Sequence, residues 1–240
     1  MAVTSSNQHP SELDPQTKEA IYRATYEDFP TFIDLIWSQG YEEFTRGDWI
    51  LRRAQFMQGE SQTCYVGPRN HFKTSGIHAH FGWKTWRARF NALSSAEWAE
   101  GPKDLEAHYF SYKQKSAGYQ IGESSDSIKD LLANNPWFSG LEDLKPTATT
   151  KGQWSWDGGE HKISIDPHGM LSHVRGIHCD VVYIDDPFQD PENELNPTTI
   201  LKINHVFKTG VYSIPKVEDG DEIHIVTTPQ TEEDFTFDRD

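Results

Sequence analysis

The sequence predicts a three-layer α/β fold, a mostly parallel sheet flanked by helices. Three observations predict it. Short β-type runs alternate with helix-patterned segments over most of the 240 residues, as in a sheet covered on both faces by its own crossover helices. The run 181–184 is apolar at every position, which suits a strand buried on both faces. The β-type run 63–66 passes at once into a glycine-bearing loop and then a new helical pattern, a strand–loop–helix order typical of such folds.

Along the chain, residues 1–14 are polar and read as loosely attached. Residues 15–39 read as helix: Ile21, Tyr22, Tyr26, Phe29, Phe32, Ile33, Ile36 and Trp37 fall near helical spacing, and Pro30 marks a break. A helix is predicted over 47–59, carrying Trp49, Ile50, Leu51 and Phe56. The strand 63–66 ends at Gly67-Pro68. Helical pattern resumes over 74–90, where Trp83, Trp86 and Phe90 share a face and are assigned to packing on the sheet. Residues 105–112 read as a strand, and 124–135 as a helix capped near Asp126 or Ser127 and ended by Asn134-Asn135-Pro136. Alternation over 152–166 around Asp157-Gly158-Gly159 predicts a hairpin. The buried strand 181–184, a helix over 197–210 and a strand over 223–227 follow.

Composition narrows the function classes. With 35% hydrophobic and 25% charged residues the chain is ordinary for a globular protein. No apolar run approaches the length that spans a bilayer, and the polar N-terminus has no signal-peptide stretch. An intracellular, soluble protein is the default expectation. Cys64 and Cys179 are too few for a secreted scaffold and are expected to be buried free thiols. A net charge of −15 argues against a protein that coats nucleic acid with its whole surface. The charge is uneven: residues 40–90 hold eight Lys or Arg against four Asp or Glu, and residues 178–240 hold four against fifteen. An acidic C-terminal third suits metal coordination, and equally a solvated acidic surface.

Two segments carry chemistry. Gly67, Pro68, Arg69, Asn70, His71, Phe72, Lys73 and Thr74 lie between a predicted strand and a predicted helix, the context of a phosphate-binding loop. In such a loop backbone N–H groups and the helix N-terminus surround phosphates, a lysine neutralises the outer ones, and a hydroxyl ligates magnesium. Lys73 and Thr74 are the candidates, and ATP with Mg2+ the expected ligands. Phe72 stands where the usual pattern has a second glycine, so the loop must accommodate a side chain there. The other segment is the apolar run ending in Asp185-Asp186. A buried strand so ended delivers carboxylates to the edge of the sheet where α/β ligands collect. The first would hold magnesium; the second would orient and deprotonate an attacking water. About 110 residues separate the two segments, and together they point to nucleotide hydrolysis.

With Arg69 four positions before Lys73, the loop resembles the deviant phosphate loop of the large terminase subunit, the DNA-packaging motor of tailed viruses. Tyr109-Phe110-Ser111-Tyr112 and the stretch to Asn135-Pro136, then Arg175-Gly176, Asp180 and Asp185-Asp186, then Thr227-Thr228-Pro229 before Asp234-Phe235, are similar to that family's succession of motifs. The resemblance spans residues 60–235. It implies a P-loop ATPase of the additive-strand type, with the third-motif strand between the strands of the first two. It implies that Arg69 senses or stabilises the γ-phosphate in cis, that Asp186 is catalytic where many members have glutamate, and that Thr228 couples hydrolysis to movement. Residues 1–59 would be a helical lead-in and 60–240 the ATPase domain. The implied partners are double-stranded DNA, a portal protein, the small terminase subunit and further copies in a homo-oligomeric ring, a pentamer, on the procapsid in the host cytoplasm, with no membrane. Full-length relatives continue into a nuclease domain. None is expected here, so no DNA cleavage is expected from this chain.

Other constellations carry less. Trp49, Arg52 and Arg53 precede the first strand, where the family contacts the base, but helix packing and a solvated face explain them equally. Arg46, Arg52, Arg53, Lys84, Arg87 and Arg89 are the most basic group, suited to weak phosphate contact or to an ordinary charged face. Arg175 would act as an arginine finger across a subunit boundary or brace its own loop. His78 and His80, two apart on a helix, face different ways and are poor zinc co-ligands; His161, His168, His173, His178 and Cys179 show no ligand-pair spacing. A helicase-like nucleic-acid-dependent ATPase and a degenerate, non-catalytic nucleotide-binding module remain the alternatives.

Overall fold

The computed structural model describes residues 9–68, 72–143, 152–172, 177–188, 196–228 and 235–236. Seven strands form one sheet: β1 (Gln62–Val66), β2 (Leu105–Ser111), β3 (Glu142–Asp143), β4 (Gly152–Trp156), β5 (His161–Gly169), β6 (Val181–Asp185) and β7 (Glu222–Thr227), in the order β1-β7-β6-β2-β5-β4-β3. β1, β7, β6, β2 and β5 run parallel, while β4 and β3 complete the far edge in antiparallel fashion. The last strand in sequence thus inserts between the first and the sixth. The fold class read from the sequence is the fold observed.

The alternation of strand residues sorts the two faces. Ala107, Tyr109, Val181, Tyr183 and Val226 join one core with helices α1 (Pro15–Glu27), α2 (Phe29–Leu35), α3 (Asp48–Gly59), α4 (Lys73–Ala92) and α6 (Ile128–Asn134). Phe110, Val182, Ile184, Ile223 and Ile225 join a second core with α7 (Pro197–Thr209). Two cores on opposite faces of one sheet make the three layers.

Most of α4 is buried. Trp83 and Trp86 each donate their ring N–H to Thr25 of α1, to its carbonyl and its hydroxyl, both at 3.0 Å. A Cβ on Gly82 would lie 2.3 Å from the Trp37 ring, so only glycine allows that approach. The helix predicted over 15–39 is divided at Asp28, whose carboxylate caps Thr31 N at 2.8 Å. Pro30 then sits in the first turn of α2, where its missing N–H costs nothing. A 3-10 turn over Trp37–Gly40 replaces the predicted end of that helix. Ser127 caps α6, so the helix begins later than the 124 expected. The hairpin forms about Asp157 and Gly159, both at positive φ. The sequence does not announce α5 (Gln114–Gly118), its π-helical continuation Tyr119–Glu123, or the short edge strand β3.

One expectation needs correction. Cys179 is buried, but Cys64 is exposed, because β1 is an edge strand with one face open. Of Arg46, Arg52, Arg53, Lys84, Arg87 and Arg89, most make contacts within the fold. Arg53 is buried; Arg87 stacks on Tyr26 and Trp83; Arg89 donates to the carbonyls of Trp137 and Ser139; Lys84 and Arg46 pair with Glu222 and Asp34. Only Arg52 of α3 stays exposed among them without such a contact described. Among the described residues, no helix is long and apolar enough to cross a membrane.

Candidate active site

Strand register builds the site. β1, β7 and β6 are parallel, with Val66 beside Thr227 and Asp185 beside Val226. Their C-terminal ends therefore open on the same edge. Gly67 N–H donates to Thr227 O at 3.0 Å and Asp186 N–H to Val226 O at 2.9 Å, so β7 holds the start of the loop on one side and the acidic pair on the other. Lys73 and Thr74, 111 or more residues earlier in the chain, arrive at this edge as the first turn of α4.

The Thr74 hydroxyl lies 3.0 Å from each carboxylate oxygen of Asp185. Lys73 Nζ lies 3.3 Å from Asp186 Oδ1 and also donates to the Thr228 hydroxyl. Thr228 N–H donates to the same Asp186 oxygen at 2.6 Å. An ammonium, two hydroxyls and two carboxylates from three distant segments thus converge. Oxygen donors alone, one of them a carboxylate beside a hydroxyl, are what a hard divalent cation prefers. Thr74 and Asp185 fit magnesium on that ground.

Asp185 is 4% exposed. Burial, and after it the neighbouring Asp186, push its carboxyl up to about 6; hydrogen bonds from Tyr109 and Thr74 and the charge of Lys73 oppose the rise. The Tyr109 hydroxyl donates to Asp185 Oδ2 at 2.8 Å. Burial and then the Asp185 charge hold that phenol well above its usual range, so it stays protonated as a donor. In the sequence Tyr109 stands only as part of a motif; its contact with Asp185 follows from the register of β2 beside β6, which no local spacing reveals.

Phe72 takes the place of a loop glycine and also its conformation, with φ 53 and ψ 24 in the left-handed region. Its ring does not fill the site. It packs edge-on against Phe44 and Trp49, with centroids 6.0 and 6.1 Å apart, and joins the core below α3. Asp186 is the other site residue at positive φ, 44°. Backbone strain of this kind costs roughly 1–2 kcal/mol per residue and gathers at functional sites. Arg53 secures the turn from behind. Its guanidinium donates to Phe72 O at 2.7 Å and to Lys73 O at 3.0 Å, and stacks 4.4 Å from the Tyr65 ring centroid. Burial lowers it to about 10, so it remains a cation at neutral pH. An arginine on a helix reads as a solvated face, and nothing in its spacing marks this one as a brace.

Trp49 is 44% exposed beside Phe72. Arg69, Asn70, His71, Arg175, Gly176, Pro229 and Asp234 lie outside the described residues. Phe235 is buried against Phe188 and Phe207 in the second core.

No protein-family model matches the sequence, and no curated protein matches it. Two solved structures are similar to this chain. A mutant of the large terminase ATPase domain of Thermus phage P74-26 matches over 78% of this chain and 66% of that one, with TM-score 0.42 and 12% identity. The HK97 bacteriophage large terminase matches over 90% of this chain, with TM-score 0.50 and 11% identity, and this chain spans 39% of the length of that protein. With β7 lying between β1 and β6 and the resemblance read from the motifs matched in architecture, the chain has the α/β fold of a phage large terminase.

Proposed function

We propose that this chain is the ATP-hydrolysing motor portion of a terminase large subunit and drives double-stranded DNA into a procapsid. The observation that carries the proposal is the convergence of Lys73 and Thr74 on Asp185, Asp186 and Thr228 at one sheet edge. Lys73 neutralises the outer phosphates of ATP, and the N-terminus of α4 adds positive potential toward them. Thr74 and Asp185 hold magnesium, which when bound offsets the charge on the phosphate oxygens. Asp186 orients the attacking water and accepts its proton as the water oxygen bonds the γ-phosphorus and the bridging oxygen leaves with ADP. Arg69 stabilises the γ-phosphate in cis.

Thr228 is suited to coupling because it bonds both sides of the site, its hydroxyl with Lys73 and its N–H with Asp186. A change in charge at either group is felt at the end of β7. Portal protein, small subunit and a pentameric ring of further copies on the procapsid, in the host cytoplasm, are the partners and place this role entails.

ATP turnover tests the proposal. Lys73→Ala should abolish hydrolysis while the fold persists. Asp186→Asn should keep ATP binding and lower turnover by about a hundredfold or more, the scale of losing a general base; asparagine tolerates the positive φ at that position. Normal hydrolysis by either variant contradicts the assigned roles.

A further inference from the structure

A second polar cluster lies between α4 and β7, and the hydrolysis site does not use it. His80 of α4 and His224 of β7 are 1% and 0% exposed, with ring centroids 4.4 Å apart. Both turn their Nε2 atoms toward one oxygen of Glu222. His224 Nε2 lies 3.1 Å and His80 Nε2 3.5 Å from Glu222 Oε2. The three ligand atoms all lie within 4.8 Å of one another. Zinc bonds of about 2.0–2.1 Å in a tetrahedron set neighbouring ligand atoms roughly 3.3 Å apart. The two carboxylate–imidazole separations bracket that spacing.

The outer contacts are those of a metal centre as well. Metal-bound imidazoles have their second nitrogen held by a hydrogen-bonding partner that fixes the ring. Here His80 Nδ1 meets the Tyr183 hydroxyl at 2.9 Å and His224 Nδ1 meets the Thr63 hydroxyl at 2.8 Å. Hydroxyls accept as well as donate, so each imidazole can carry its proton on Nδ1 and offer Nε2 to a metal, with no net proton released. Lys84 takes the other oxygen of Glu222 at 2.9 Å and leaves Oε2 to the histidines. Lys84 and Glu222 also line a cleft of about 410 Å³, so the cluster meets the surface at its carboxylate.

We propose that His80, Glu222 and His224 form a zinc site that fastens α4 to β7. Its two arms are the helix that begins at Lys73 and the strand that ends one residue before Thr228. The clamp therefore sets the distance between the phosphate-binding turn and the third-motif strand. Sequence spacing hid it, because the partner of His80 is not His78 but a residue 144 positions away on a strand.

The full chain, stripped with a chelator, is titrated with Co2+ and with Zn2+. The result expected is one metal per chain retained on dialysis, the visible absorption of tetrahedral cobalt, and a higher melting temperature with Zn2+. Thr63→Val removes only the hydroxyl behind His224 and should weaken binding about ten- to a hundredfold; Glu222→Gln should abolish it. Asp185→Asn, at the hydrolysis site, and His161→Ala, in the group Asp157, Glu160 and His161, should leave it unchanged. Absence of the cobalt spectrum in the unmutated chain, or binding lost in Asp185→Asn or His161→Ala and kept in Glu222→Gln, overturns the proposal.

Discussion

The Asp185 carboxyl is held at two opposed purposes. Burial raises it to about 6, yet a magnesium ligand must be ionised. Its folded value exceeds the value of about 3.9 in an unfolded chain. The folded state therefore binds the proton more tightly, and stability falls as pH rises from about 4 through 6, by about 3 kcal/mol at most. In the ligand-free protein Asp185→Asn should accordingly raise the melting temperature above pH 6 and have little effect near pH 4. Affinity for magnesium–nucleotide should rise about tenfold per pH unit below 6 and level off above it; calorimetry between pH 5 and 8 checks this, and a pH-independent affinity would contradict the burial argument. Phe72 offers a second test. Its left-handed backbone suits glycine and its ring suits the core. Phe72→Ala loses the ring and keeps the strain, whereas Phe72→Gly loses the ring alone. The Phe72→Gly protein should thus be the more stable of the two by about 1 kcal/mol in urea unfolding, the reverse of the usual order of glycine and alanine.

At the scale of elements, the legible parts of the sequence were those with a strong local period or a strong stop. The run 181–184 could be buried on both faces only in a covered sheet, and α4 announced itself by its aromatic spacing. The junction of strand, loop and helix at 63–74 and the paired carboxylates supplied the candidate site residues, and the structure brings Lys73, Thr74, Asp185, Asp186 and Thr228 together. Contacts set by tertiary register were not legible. The Arg53 brace, the Tyr109 hydrogen bond and the His80–His224 pair each join different elements of the fold. The exposure of Cys64 is not legible because the position of β1 at the sheet edge depends on strand order, which no window of sequence contains. The short α5 and its π-helical turn are not legible because five-residue elements carry too little periodicity to stand out.

Across the whole molecule, one strand does most of the organising. β7 separates β1 from β6, bonds the start of the loop and the acidic pair at its C-terminal end, and carries Glu222 and His224 near its start. The chain carries a net charge of −15, and most basic residues of α3 and α4 are committed internally, which leaves those two helices little to offer a DNA backbone. All of this depends on the sheet edge being a nucleotide site. A crystal structure of the chain with magnesium and a non-hydrolysable ATP analogue tests that most directly. The triphosphate should be seated on the first turn of α4, with Lys73 Nζ withdrawn from Asp186 onto the outer phosphates and the metal held by Thr74 with Asp185 beside it. An analogue bound elsewhere, or Lys73 still paired with Asp186 at saturating nucleotide, would contradict it.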